Sequence, residues 1–70
     1  MQVVARVSDN LRYYRRAAGL SQEQLAERAG VGSTTVARIE AGGMENPRVN
    51  TLVKLAKALS IDPRDLMPDE

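Results

Sequence analysis

The sequence predicts an all-α fold, a compact bundle of five short helices. Apolar residues recur at three- and four-residue spacing along most of the chain. Glycines and capping residues punctuate that pattern at Gly19-Leu20-Ser21, at Gly30 and at Gly42-Gly43. Seventy residues make one domain, 1–70, with a limited core.

The first helix is expected over residues 3–18, with Val3 and Val4 either extending it or fraying. Val7, Leu11, Tyr14 and Ala18 form its apolar stripe. Arg6, Arg12, Arg15 and Arg16 lie mostly off that stripe, either solvated or with one or two free to meet an anion. Gly19 stops the helix, and Leu20 tucks back as the C-terminal hydrophobic contact. Ser21 and Gln24 have the spacing of a capping box for the second helix, 22–29. Leu25, Ala26 and Ala29 face inward, and Gly30 ends the helix where a positive φ is needed. Val31 plugs the corner. The third helix, 33–41, turns Val36 and Ile39 inward and leaves Ser33, Thr34, Thr35, Ala37 and Arg38 outside. Asn50 is expected to cap a fourth helix, 51–59, with Leu52, Leu55, Ala56 and Leu59 inward and Val53 against the first helix. Asp62 caps a last short helix that begins at Pro63 and runs over 64–67.

Composition excludes several classes of function. The chain has no cysteine and no histidine, so the usual zinc ligands and the commonest general base are missing. No phosphate-binding glycine loop is recognisable. An enzyme is not expected, nor a metal or other cofactor. No apolar run approaches the roughly 20 residues that span a bilayer, and the N-terminus has no signal-peptide pattern, so a cytoplasmic protein without membrane contact is expected. The net charge is +1, but residues 61–70 carry −3, which leaves +4 on the rest. A basic body with an acidic end suits a polyanion on one face.

Residues 22–41 carry the functional signal. Two short helices joined by a glycine turn, the second exposing a short-chained polar face with one long cation, make a helix-turn-helix, whose second helix lies in the DNA major groove. The run LSQEQLAERAGVGSTTVARIEAG, then NP, then TLVKLAKALSIDPRDLM, resembles the Cro and phage-repressor family, the XRE-like or lambda-repressor-like domains, over roughly residues 6 to 67. The resemblance implies a sequence-specific double-stranded DNA-binding transcriptional regulator of repressor or controller type. Base readout is then expected from Ser33, Thr34 and Arg38. A guanidinium can pair bidentately with guanine, and Thr34 can meet a thymine methyl or an acceptor. Backbone contacts are expected from Gln22, Thr35, Asn50 and Thr51, the helix starts adding N–H groups to phosphate. The family's glutamine at the Gln22 position contacts the DNA backbone, and the acid at the Glu40 position is structural. Arg48 is expected to reach the minor groove or the backbone, or else to lie free at the surface. Gly32 departs from the Ser or Thr common at this cap, and Gly43-Met44-Glu45 replaces basic residues, which weakens phosphate contacts from that loop.

The resemblance also implies a homodimer on a palindromic operator, built through the C-terminal end, with Leu55, Leu59, Ile61 and Met67 as candidates. RNA polymerase or a regulatory protein is a possible further partner. A protein-interaction module that has kept the fold without reading DNA is the alternative. Gly32, Glu45 and the low net charge speak for it. Gln22, Thr34, Arg38 and Arg48 speak against it.

Overall fold

The computed structural model describes residues 6–42 and 47–67. The expected helix start at Val3, the Gly43-Met44-Glu45 reading and Asn46 lie outside the described residues. Among the described residues four α-helices follow in order: α1 Val7–Ala17, α2 Gln22–Ala29, α3 Ser33–Glu40 and α4 Val49–Ala58. The expected fifth helix is instead a single 3-10 turn, Pro63–Leu66. It is too short for α-helical pairing, and its bonds close over three residues, from Asp65 N–H to Asp62 C=O at 2.8 Å and from Met67 N–H to Arg64 C=O at 3.1 Å. Asp62 caps this turn as expected, receiving Arg64 N–H at 2.9 Å.

The core is aliphatic. Leu11, Leu25, Val36, Ile39, Leu55 and Leu66 are fully buried, one or two from each helix and one from the closing turn. α3 packs on both α1 and α2, while α4 packs on α2 and the closing turn. Asn10 of α1 holds that turn by donating to the carbonyls of Leu66 and Met67, at 3.2 and 3.3 Å.

The expected glycine stops of α1 and α2 are present, and Gly42 after α3 has φ +80°. Gly19 and Gly30 have φ of +72° and +71°. Beyond each, the chain folds back onto its helix: Leu20 N–H reaches Arg15 C=O at 3.1 Å, and Val31 N–H reaches Ala26 C=O at 3.0 Å. Leu20 is thereby buried and Val31 packs on the core edge. The Ser21–Gln24 capping box is formed in both directions, at 3.0 and 2.9 Å.

Three expectations about packing fail. Ala18 is exposed, because α1 ends at Ala17 and the turn at Gly19 delivers Leu20 to the core instead. Asn50 is not a cap: α4 begins at Val49 behind Arg48, and Asn50 sits exposed in its first turn. Seating Leu52 in the core, its N–H on the Arg48 carbonyl at 3.0 Å, fixes the helix start. That outweighs the roughly 1 kcal/mol preference for an Asn cap. Val53 points to solvent, 40% exposed, because α4 packs on α2 and the closing turn and not along α1.

The C-terminal end of α4 repeats the glycine-stop geometry without a glycine. Ser60 has φ +57°, and Ile61 N–H reaches Ala56 C=O at 3.0 Å. A side chain in this region costs about 1–2 kcal/mol.

One carboxylate joins three helices. Glu40, at the end of α3, is 3% exposed. Arg15 of α1 donates to it through Nε at 2.6 Å and through an Nη at 2.9 Å, a bidentate pair. Gln22, the first residue of α2, donates its amide to the same carboxylate at 3.1 Å. Arg12 donates to the Glu40 main-chain carbonyl, and the other Arg15 Nη bonds Leu20 C=O at 2.8 Å. Burial alone would raise the Glu40 carboxyl. The hydrogen bonds from Arg15 and Gln22, with the charges of Arg15 and Arg12, outweigh it and hold the group below the usual carboxylate range.

Two stability predictions follow from these contacts. Glu40→Gln strands the Arg15 guanidinium against a neutral amide and should cost about 3 kcal/mol at pH 7, measured by urea denaturation. A depressed carboxyl contributes fully above its unfolded pKa and less as pH falls through its folded value. The gap between wild type and Glu40→Gln should therefore narrow below about pH 4; equal midpoints at pH 7 would contradict the clamp. Ser60→Gly should raise the midpoint by the equivalent of about 0.5–1 kcal/mol, the relief of Cβ strain less the entropy a glycine adds to the unfolded chain. A lower midpoint would mean that Ser60 is not held at positive φ.

Candidate nucleic-acid interface

The outer face of α3 follows from helical geometry. At about 100° per residue, Ser33, Ala37, Ala41, Thr34 and Arg38 fall in that order across an arc of about 140°, opposite the buried Val36 and Ile39. Ser33, Thr34, Arg38 and Ala41 are exposed, and Ala37 and Thr35 are half-buried. Thr35 lies outside the arc on the Arg38 side, while Glu40 borders it on the Ser33–Ala37 side. Among the described residues no ion pair involves Arg38. None of the described glutamates occupies its guanidinium, which leaves it for an outside acceptor.

Gly32 caps α3 in an extended conformation with no side-chain acceptor. Thr35 N–H bonds the Gly32 carbonyl at 3.0 Å, and Val36 N–H bonds it at 3.3 Å. The N–H groups of Ser33 and Thr34 are the helix's open donors. A Cβ at Gly32 would meet only the Thr35 hydroxyl, at 3.8 Å, and φ is −73°. Nothing in the local packing therefore demands glycine there.

Gln22 sits where α2 meets the end of α3, half-buried with its amide nitrogen on Glu40. It is not a free surface glutamine: its side chain bonds the same carboxylate that ties α3 to α1. Arg48 is the exposed cap residue of α4, with Asn50 exposed and Thr51 half-buried in the first turn behind it.

The residues expected at a dimer interface separate. Leu55 is fully buried in the core and has no surface to offer a partner. It shares α4's inner face with Leu52 and Ala56, where the apolar spacing places it inward. Leu59 and Ile61 are half-buried and packed against the core, and Met67 is 43% exposed. Larger exposed apolar surface lies elsewhere on α4, at Val49 and Val53, one helical turn apart.

Sequence reasoning missed the role of Arg15 and Arg12, which it grouped with the solvated or phosphate-facing arginines. The available signal was Glu40 itself. A carboxylate between a buried isoleucine and a helix end needs a cation, but the spacing along the chain does not say which of four arginines supplies it.

Comparison with known proteins matches this geometry. The family model Helix-turn-helix (HTH_3) covers residues 11–66. The control protein C.SmaI of Serratia marcescens is 40% identical over 60 residues, 86% of this chain and 70% of that protein. The structure of the restriction–modification controller protein C.AhdI from Aeromonas hydrophila superposes with a TM-score of 0.80 at 41% identity, over 87% of this chain and 91% of that one. The biofilm regulator SinR, solved in complex with DNA, superposes at 0.83 with 30% identity, over 86% of this chain and 95% of that one. The chain spans 33% and 41% of the length of two larger curated relatives, both HTH-type transcriptional regulators, from Sinorhizobium fredii and Bacillus subtilis. With α2 and α3 forming the motif and Glu40 locking them to α1, the chain belongs to the helix-turn-helix family of DNA-binding transcriptional regulators, the XRE-like group that includes restriction–modification controller proteins.

Proposed function

We propose that this chain regulates transcription by reading a specific double-stranded DNA operator, with α3 in the major groove. The single observation that carries this reading is the outer arc of α3. It is short-chained and polar, it ends in an arginine with no ion pair among the described residues, and Glu40 ties it to α1 and α2. A helix whose outward residues served only solubility would need neither the small side chains nor the clamp. Membership of the family, and a relative solved on DNA, support the same reading.

In this reading Ser33, Thr34 and Arg38 meet base edges. Thr35, the start of α2 at Gln22 and the start of α4 at Asn50 and Thr51 meet the phosphates. Gln22 gives one N–H of its amide to Glu40, so the second amide N–H and the backbone N–H in the first turn of α2 are left for a phosphate oxygen. Arg48, at the cap of α4, reaches the backbone or a narrow minor groove. A single module of this size buries about 600–1,000 Å² on DNA. Two copies on a palindrome, about 34 Å apart, would double the contacts. Met67, with the exposed parts of Leu59 and Ile61, is the surface proposed for that dimer; Leu55 supports it only from within the core. The protein acts in the cytoplasm, occluding RNA polymerase or touching it from an adjacent site.

Selection from a random duplex library at near-physiological salt tests this directly. The expected product is a two-fold palindrome with half-sites about one turn apart. Enrichment of a lone half-site would remove the dimer, and a folded protein that enriches nothing would favour a protein-interaction role. On the selected operator, Arg38→Ala should cost about 1–3 kcal/mol and relax preference at one position per half-site, measured by equilibrium titration. Unchanged affinity and unchanged preference would take Arg38 out of the readout.

A further inference from the structure

Ala37 lies within the outward arc of α3, between Ser33 and Ala41 and one turn beyond Thr34. Every residue from Ser33 to Ala37 on that arc is short. Ser33 and Thr34 end at the γ position and Ala37 at the β position. Gly32, just before the helix, has no side chain at all. Nothing on this half of the arc holds the helix backbone away from a surface pressed against it. The long side chain, Arg38, stands at the opposite edge.

An alanine in that place can recognise only shape and apolarity, since it neither donates nor accepts. In the major groove of unmodified DNA, the one apolar group on a base edge is the C5-methyl of thymine. Thr34, three residues before Ala37, shares its side of the helix and supplies a second methyl beside a hydroxyl. Building on the DNA reading above, we propose that Ala37 is a specificity-determining residue that packs on a thymine methyl, with Thr34 as the second wall of the contact. Each half-site then carries an invariant thymine close to the guanine met by Arg38. Cytosine in its place leaves the Ala37 methyl against an empty space. A purine removes the methyl and brings polar groups to an apolar wall.

Replacing thymine by deoxyuridine, one position at a time, in the selected operator removes the methyl and nothing else. One thymine per half-site should then bind about fourfold more weakly, the worth of one buried methyl. In Ala37→Gly, checked for folding by circular dichroism, the same uracil substitution should change affinity by less than about twofold, because the Ala37 methyl is already gone and only the Thr34 wall remains. If no thymine of a working operator is sensitive to loss of its methyl, Ala37 has no such role. A fourfold penalty that persists unchanged in Ala37→Gly would assign the methyl to another side chain and overturn the proposal. The uracil scan needs only the wild-type protein, so a poorly folded variant does not rescue the idea. Failure to select any operator would remove the DNA reading together with this one, whereas a selective operator indifferent to uracil removes this inference alone.

Discussion

A buried carboxylate at the end of α3 sets the geometry on which the proposed function depends. Glu40 is almost wholly buried, and leaving it unpaired would cost several kcal/mol, on the order of what a 70-residue domain has in reserve. Arg15 neutralises it from α1 and Gln22 bonds it from α2, while Arg12 takes the carbonyl of the same residue. The three helices that must agree on the direction of α3 therefore meet at one side chain. Hydrophobic packing through Leu25, Val36 and Ile39 holds the helices together, but apolar contacts slide at little cost. A bidentate guanidinium–carboxylate pair does not, because rotation of either helix breaks a hydrogen bond within a few tenths of an ångström. An ion pair of this kind adds little net stability over a hydrophobic alternative. Its value here is angular.

The consequence for recognition is that the interface is built on a fixed frame with small side chains. Ser33, Thr34 and Ala37 have little conformational freedom to lose on binding, and Arg38 alone among the α3 residues facing outward has much. Gln22 connects frame and interface. Its side chain lies on Glu40 while its backbone stands in the first turn of α2, so whatever fixes α3 also fixes the N-terminus that would meet phosphate. Specificity by shape on one side of the helix and by a charged fork on the other follows from this division.

Elsewhere the structure accepts a local cost to close the fold. Ser60 takes a left-handed conformation that glycine occupies at the ends of α1 and α2. The reward is a tight reversal that brings Ile61 against the core and sets up Asp62, whose side chain starts the closing turn that delivers Leu66 to the interior. Asn10 then ties that turn back to α1. The ends of the domain are thus pinned to each other by polar contacts that span nearly the whole sequence.

Much of this was legible in the residues. Gly19, Gly30 and the Ser21–Gln24 box act through their nearest neighbours, so their helix ends could be placed from spacing alone. The inward faces of α2 and α3 could be read for the same reason: a 3.6-residue period decides which side chains share a side. The outward set Ser33, Thr34 and Arg38 followed from the same period. What spacing could not decide was anything requiring two distant segments at once. Whether Asn50 or Arg48 caps α4 depends on where Leu52 must sit in a core made by other helices. Whether Val53 is covered depends on α4 lying along α2 and not along α1. Leu55 illustrates the limit from the other side: its inward position was readable, yet that it has no surface at all needed the packed structure. The choice of Arg15 over its neighbours is the clearest case. The three arginines of α1 and Arg6 before it look alike along the chain, and only the crossing of α1, α2 and α3 brings one of them within 2.6 Å of a carboxylate 25 residues away.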